Sequence, residues 1–280
     1  MKLFRFFTVL CFLLMFGCGA SEKSGNPGHP ERIVSLSPGV TEILYALGAG
    51  KELVGITDYC NYPPETSEKT RVGGFSGATV SVETIAALRP DLVIVSGEMH
   101  GRIIEILDGL GIRSLAVEPE SFSEVYETIR LLGGITGHEE NAQALIDGMG
   151  EKIEQARSRR RDREVLPVFW ELWDNPLLTA GGPTLINEAI DLAGGANIFA
   201  GLSQRWPEVS YEEVLRRRPQ WILSASDHRL DANLLSERPS WSRIPAVEAG
   251  HIASIDADLI NRYGPRLADA VLLIAETLYP

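Results

Sequence analysis

The sequence predicts an α/β protein of two Rossmann-like lobes, joined by a single long rigid helix. Three observations predict it. Short apolar runs alternate with longer amphipathic ones, which is the pattern of strand–helix units. A unit of capped helix, proline turn and strand recurs at a shift of 129 residues. Between its two copies lies a proline-free stretch, 139–161, with apolar Ala142, Leu145, Ile146, Met149 and Ile153 at helical spacing. As a helix this stretch would span about 35 Å, enough to cross a small domain. Its basic end (Arg157, Arg159, Arg160 and Arg161) suits the negative pole of a helix macrodipole.

Composition bounds the function. With 280 residues, 44% hydrophobic and 23% charged, the chain is long enough for a large core and close to an average globular protein. A net charge of -12 argues against a nucleic-acid partner, because phosphate recognition needs clustered Lys and Arg. The three cysteines, Cys11, Cys18 and Cys60, form neither a disulfide framework nor a Cys-x-x-Cys site.

The amino terminus is an address. Lys2 and Arg5 precede an apolar run from Phe6 to Phe16 that is too short to span a bilayer, so residues 1–17 are expected to be a signal peptide. Leu14 to Cys18 resembles the bacterial lipoprotein cleavage box, which makes Cys18 the expected site of lipidation. Residues 18–30, rich in Gly, Pro, Ser and Asn, are expected to be a flexible tether to the anchor. Once Cys18 carries lipid, Cys60 is a lone thiol in an oxidising compartment and should be buried or shielded.

Residues 31–138 form the predicted N-terminal lobe. Arg32 to Leu36 and Leu92 to Val95 have the continuous apolar pattern of buried strands, while Val40 to Leu47, Val82 to Leu88 and Ile103 to Leu110 have helical spacing. Gly48-Ala49-Gly50 follows a helix and lacks the third glycine of a phosphate loop, so it is a helix C-cap. Residues 162–280 form the second predicted lobe. The shift of 129 places Ser81-Val82-Glu83 on Ser210-Tyr211-Glu212 and Arg89-Pro90 on Arg218-Pro219. A weaker match at 146 places Thr41-Glu42 on Asn187-Glu188 and Gly48 on Gly194. The two shifts differ by 17, so one lobe carries an extra loop.

No Gly-x-Ser-x-Gly elbow, Walker loop or His-Glu-x-x-His is present, and the five histidines lack metal-ligand spacing. No catalytic residue and no metal site is expected. The aromatics are more informative. Trp221 lies in a predicted strand and is expected in the core, whereas Trp173 ends an apolar run and Trp206 precedes the helix capped at Ser210. Aromatics in strand-end loops of α/β lobes are where ligands are met, so Tyr59, Tyr62, Phe75, Trp173 and Trp206 together suggest a cleft.

Several motifs carry a specific resemblance. They are Ser35-Leu36-Ser37-Pro38 with Thr41-Glu42, Thr57 to Pro64, Val72 to Phe75, and Leu88 to Val93. The match continues through Gly194 to Phe199, Trp206 to Ser210 and Arg262-Tyr263-Gly264-Pro265-Arg266. Over nearly the whole mature chain the sequence resembles the periplasmic cobalamin- and siderophore-binding proteins of ABC importers. The resemblance implies two α/β lobes on one long helix, capture of ligand between the lobes, and delivery to a permease dimer with its ATPase subunits. It implies that Tyr59 or Tyr62 stands beside the corrin ring and that Phe75 stands where a tryptophan is found. Asp258 and Arg262 match the polar pair near the carboxyl terminus, while Ser96 replaces a tryptophan of the cobalamin binders.

Glu83 and Glu212 fall in the first turns of helices capped by Ser81 and Ser210, where a carboxylate suits the helix dipole. The dipole explains one glutamate; a two-fold permease needs an anionic contact per subunit and explains both. The resemblance agrees, since the family's docking glutamates align here. The expected function is therefore that of a lipid-anchored substrate-binding protein for cobalamin or a related corrinoid, which is cargo and not a cofactor. The alternatives are a ferric siderophore or haem on the same scaffold, with Arg205 and Arg262 as the available cations. A rival of another class is an extracytoplasmic metal-dependent hydrolase using Asp58, Asp256 and Asp258 with a histidine.

Overall fold

The computed structural model describes residues 28–280 apart from Arg229; the expected signal peptide, Cys18 and the tether up to residue 27 lie outside the described residues. The N-terminal lobe is built on five parallel strands. In chain order its elements are β1 (Ile33–Ser35), α1 (Pro38–Leu47), β2 (Leu53–Ile56), β3 (Thr70–Arg71), α2 (Val82–Ala87), β4 (Leu92–Val95), α3 (Gly101–Gly109), β5 (Ser114–Ala116) and α4 (Phe122–Thr136). The strand order is β3-β2-β1-β4-β5, so the chain reverses direction across the sheet at β1. Both faces are covered, which is why β1 and β4 are buried at every position. Ile33 and Ile94 point to the core under α1 and α4, while Val34, Val93 and Val95 point to the core under α2 and α3.

Helix α5 (Glu139–Arg160) then crosses the molecule. Its buried stripe, Ala142, Ile146, Met149, Ile153 and Ala156, belongs to one continuous core with residues of both lobes, from Leu44 of α1 to Val271 in the second lobe. The second lobe contains β6 (Leu166–Asp174), β7 (Leu177–Thr179), α6 (Leu185–Leu192), β8 (Gly195–Asn197), α7 (Tyr211–Arg217) and β9 (Trp221–Ala225). It closes with α8 (Ala232–Glu237), α9 (Pro245–Ala249), β10 (Ile252–Ile255), α10 (Ala257–Ile260) and α11 (Leu267–Leu278). Strands β8, β6, β9 and β10 are parallel, and β7 folds back antiparallel on the end of β6.

The internal repeat is visible in the backbone. Ser81 and Ser210 both cap their helices, each hydroxyl accepting at 3.1 Å from the N–H three residues on, Thr84 and Glu213. Arg89 and Arg218 both adopt positive φ, 48° and 50°, ahead of Pro90 and Pro219, at a position where the following proline disfavours continuing the helix. Gly48 and Gly194 end α1 and α6 in the same left-handed conformation, φ 91° and 86°.

Two expectations need correction. Trp173 and Asp174 are not a loop: they extend β6 and pair with Leu178 and Leu177, with the turn at Asn175-Pro176. The three-residue return strand is too short to carry a periodic signal. Trp221 is half-buried, stacked flat on His251 with ring centroids 4.6 Å apart, because it opens β9 at the sheet's rim. Cys60 is fully buried; burial pushes its thiol pKa up, and the hydroxyls of Thr41 and Thr57 lie at 3.2 and 3.1 Å from Sγ.

Candidate functional site

In parallel α/β sheets the loops after the strands' carboxyl ends form the binding crevice. Here the carboxyl ends of both sheets face one cavity of about 610 Å³. Ser37 to Val40 reach it after β1, Phe75 after β3 and Met99 after β4. From the other lobe come Trp206, after β8, and Tyr263, after α10.

The walls are set by backbone groups. The Ser96 N–H donates to Nδ1 of His100 at 3.0 Å, so the ring proton sits on Nε2, which donates to the Phe75 carbonyl at 2.9 Å. His100 is wholly buried and ties the loop after β4 to the loop bearing Phe75. Tyr59 meets Phe75 edge-on with ring centroids 6.0 Å apart. Opposite, the N–H groups of Thr179 and Gly181 bond to the carbonyls of Pro207 and Arg205, which fixes the segment carrying Trp206. Gly181 must be glycine, since a Cβ there would run into the Gln204 carbonyl.

Charge is concentrated where the lobes meet. Glu42 on α1, 2% exposed, accepts from Arg266 Nε at 2.9 Å and Nη2 at 2.6 Å, and from Arg262 Nη1 at 3.3 Å. Hydrogen bonding to Glu42, against the opposing effect of burial, raises the Arg266 pKa further. Arg262 also donates to Asn61 at 2.7 Å and Asp258 at 2.6 Å. In the cleft itself Arg205 pairs with Glu120 across the lobes. Burial pushes the phenol of Tyr263, beside Arg205, above its usual pKa. On the far side of the junction, Glu188 of α6 accepts from the Phe122 N–H at the start of α4, 2.9 Å away. Glu42 and Glu188 are equivalent in the internal repeat, so each lobe extends the same glutamate to the other.

The profile of the periplasmic binding protein family matches residues 33–259. The chain belongs to that family. It is 34% identical, over 90% of this chain and 81% of the relative, to the uncharacterized ABC transporter substrate-binding lipoprotein YvrC of Bacillus subtilis. It is 31% identical, over 88% of each chain, to the vitamin B12-binding protein of Vibrio cholerae. A solved possible iron-binding (periplasmic solute-binding) protein of Staphylococcus epidermidis superposes with a TM-score of 0.81 at 26% identity, covering 90% of this chain and all of that one. As a periplasmic binding protein the chain is an extracytoplasmic component. Among the described residues no helix is long and apolar enough to cross a membrane.

The periplasmic binding protein brings some of the expected residues together and separates others. Phe75, Trp206 and Arg262 line the cleft; Tyr59 backs Phe75, and Asp258 holds Arg262. Tyr62 lies elsewhere: the Arg266 guanidinium covers its ring at 3.9 Å, and it faces a separate cavity of about 600 Å³ beside Tyr45, Leu145 and Met149. Trp173 is not among the residues lining the cleft. Glu83 and Glu212 are exposed at the first turns of α2 and α7. Of the carboxylates of the hydrolase alternative, Asp256 caps α10 and Asp258 is held by Arg262. Among the described residues no three His, Cys, Asp or Glu side chains gather in metal-binding geometry. Sequence reasoning missed Met99, His100, Glu120 and Tyr263; the one available signal was that Met99 and His100 closely follow a buried strand.

Proposed function

We propose that this periplasmic binding protein is the lipid-anchored, substrate-capturing subunit of an ABC importer and that its guest is a corrinoid. One observation carries the choice of guest. Both arginines of the cleft are already neutralised, Arg205 by Glu120 and Arg262 by Glu42 and Asp258, while Phe75, Met99 and Trp206 supply apolar wall. Haem propionates or an anionic ferric siderophore need cations with free valence. A broad, largely uncharged corrin needs aromatic surface with hydrogen-bonding groups at its edge. The name of the Vibrio cholerae relative points the same way.

Titrating the purified protein with cyanocobalamin is expected to quench tryptophan fluorescence saturably, with Trp206→Phe removing most of the change. Haemin and a panel of ferric siderophores should give no saturable signal. Saturation by one of them, with none by cyanocobalamin or cobinamide, would transfer the protein to the alternative guest.

Lipidation of Cys18 is the second part of the proposal. The folded body begins before the expected end of the tether at residue 30: Pro30 is buried, and His29 meets the Ile135 carbonyl at 2.9 Å through Nδ1. Cys18→Ala should move the protein from the membrane to the soluble fraction, and a variant still sedimenting with membranes would refute the anchor. The third part is docking. Helix α2 starts at the carboxyl side of the N-lobe sheet and α7 at that of the second, which supports reading Glu83 and Glu212 as a matched pair, one per lobe. In this reading each meets a cation on one subunit of a two-fold permease.

A further inference from the structure

Trp173 is an aromatic at a strand end, as a ligand contact would be, but its contacts give it other neighbours. Alternate residues of a strand share a face, so Phe169 and Glu171 point together, but the ladder bulges between Glu171 and Trp173, and the surroundings of Trp173 are set by its own contacts. Phe169 packs edge-on against Trp241 at 6.0 Å and Phe199 at 5.9 Å, in the core that includes Val214 of α7. Trp170 points the opposite way, into the core shared with α5, α6 and α11. Trp173 instead meets His228, the partner of Glu171, and is not among the residues lining the cleft cavity.

Its indole is held in place. Nε1–H donates to the Asn175 carbonyl at 3.0 Å, and the ring lies 6.1 Å from that of His228. Nε2 of His228 is 3.0 Å from the buried carboxylate of Glu171, which Arg238 grips with two bonds of 2.6 and 2.9 Å. The same guanidinium lies 5.5 Å from the Tyr211 ring, and the Tyr211 hydroxyl donates to the Asp174 carbonyl at 3.4 Å. The hairpin is thus fastened to the first turn of α7, the turn that presents Glu212. At 54% exposure, with its only polar atom satisfied within the hairpin, Trp173 offers an oriented apolar face to solvent beside an exposed carboxylate. Rigid, half-exposed aromatics next to a charge are the anchors of protein interfaces. The N-terminal lobe has no equivalent: β1 passes to α1 through Leu36 and Ser37 alone, where the second lobe inserts the hairpin.

We propose that Trp173 is a docking residue and not part of the ligand wall. It enters an apolar socket on the permease subunit that also supplies the cation for Glu212. The inference rests on the docking reading of Glu212 given above.

The test uses the full lipidated chain in cells lacking their own copy, measuring uptake of radiolabelled cyanocobalamin alongside the cyanocobalamin Kd of each purified variant. Trp173→Ala is expected to cut uptake by about tenfold or more, the loss typical of an interface anchor, while Kd stays unchanged and Trp173→Phe restores most transport. A Kd that rises in step with the lost uptake would place Trp173 in the ligand wall and overturn the inference. Normal uptake by Trp173→Ala would overturn it equally. The double variant Glu83→Ala with Glu212→Ala, run beside it, separates the two readings. If the double variant loses transport and Trp173→Ala does not, only the role of Trp173 fails; if the double variant transports normally, the docking reading itself fails.

Discussion

Glu42→Ala should lower the midpoint of thermal unfolding by about 10 °C, because breaking a buried ion pair costs about 3–5 kcal/mol and each kcal/mol moves a domain of this size by about 2–4 °C. The cost comes from what remains. Arg262 and Arg266, with side chains 10% and 18% exposed, would keep their charge at the lobe junction with their shared carboxylate gone. Glu42→Gln keeps the shape and one acceptor, so it should fall between wild type and alanine. Scanning calorimetry of the three proteins checks the ranking. An alanine variant melting within about 2 °C of wild type would mean that Asp258 and solvent hold the arginines unaided, at the small value of an exposed pair. The same variant should bind cyanocobalamin more weakly, since Arg262 lines the cleft and loses one of its three side-chain anchors.

The double change Glu83→Ala with Glu212→Ala should reduce transport to background while leaving ligand affinity untouched. Both carboxylates are exposed, and neither lines the cleft. Ser81 and Ser210 still cap the two helices through their hydroxyls, so the fold loses a favourable charge near each helix start and one exposed hydrogen bond, from the Ser81 hydroxyl to Glu83. Each single change should leave part of the transport, because one of the two permease subunits keeps its contact. Uptake of radiolabelled cyanocobalamin, compared with solution Kd, makes the check. A parallel fall in affinity would place the glutamates in ligand binding, and unimpaired uptake would return them to helix stabilisation alone.

The N-terminal lobe was legible where the physics is local. Leu92 to Val95 is a continuous apolar run between a proline turn and Ser96-Gly97, and it is β4 to the residue. The serine caps and Arg-Pro turns of the repeat are short-range devices that leave a mark on the sequence twice. The β6–β7 hairpin left none, since its return strand has only three residues. His100 was illegible for another reason: its partners are the backbone groups of Ser96 and Phe75, and any residue type supplies those. Glu42 and Arg266 are 224 positions apart, beyond any pattern within a window. A glutamate on the apolar face of α1, between Val40 and Ile43-Leu44, was the one visible hint of a buried carboxylate. Within the cleft, the resemblance supplied the Asp258–Arg262 pair but not the further anchoring of Arg262 by Glu42 and Asn61.

The reciprocal glutamates also bear on cooperativity. If the second lobe opens, Glu42 loses both guanidinium partners; if the first opens, Glu188 loses the Phe122 amide, and α5 loses part of the core that covers it. Partial opening of either half therefore raises the free energy of the other, and half-folded species are disfavoured at equilibrium. The two halves, though built on the same plan, should fold, melt and fall to proteases as one unit, and neither should be recoverable as a stable fragment.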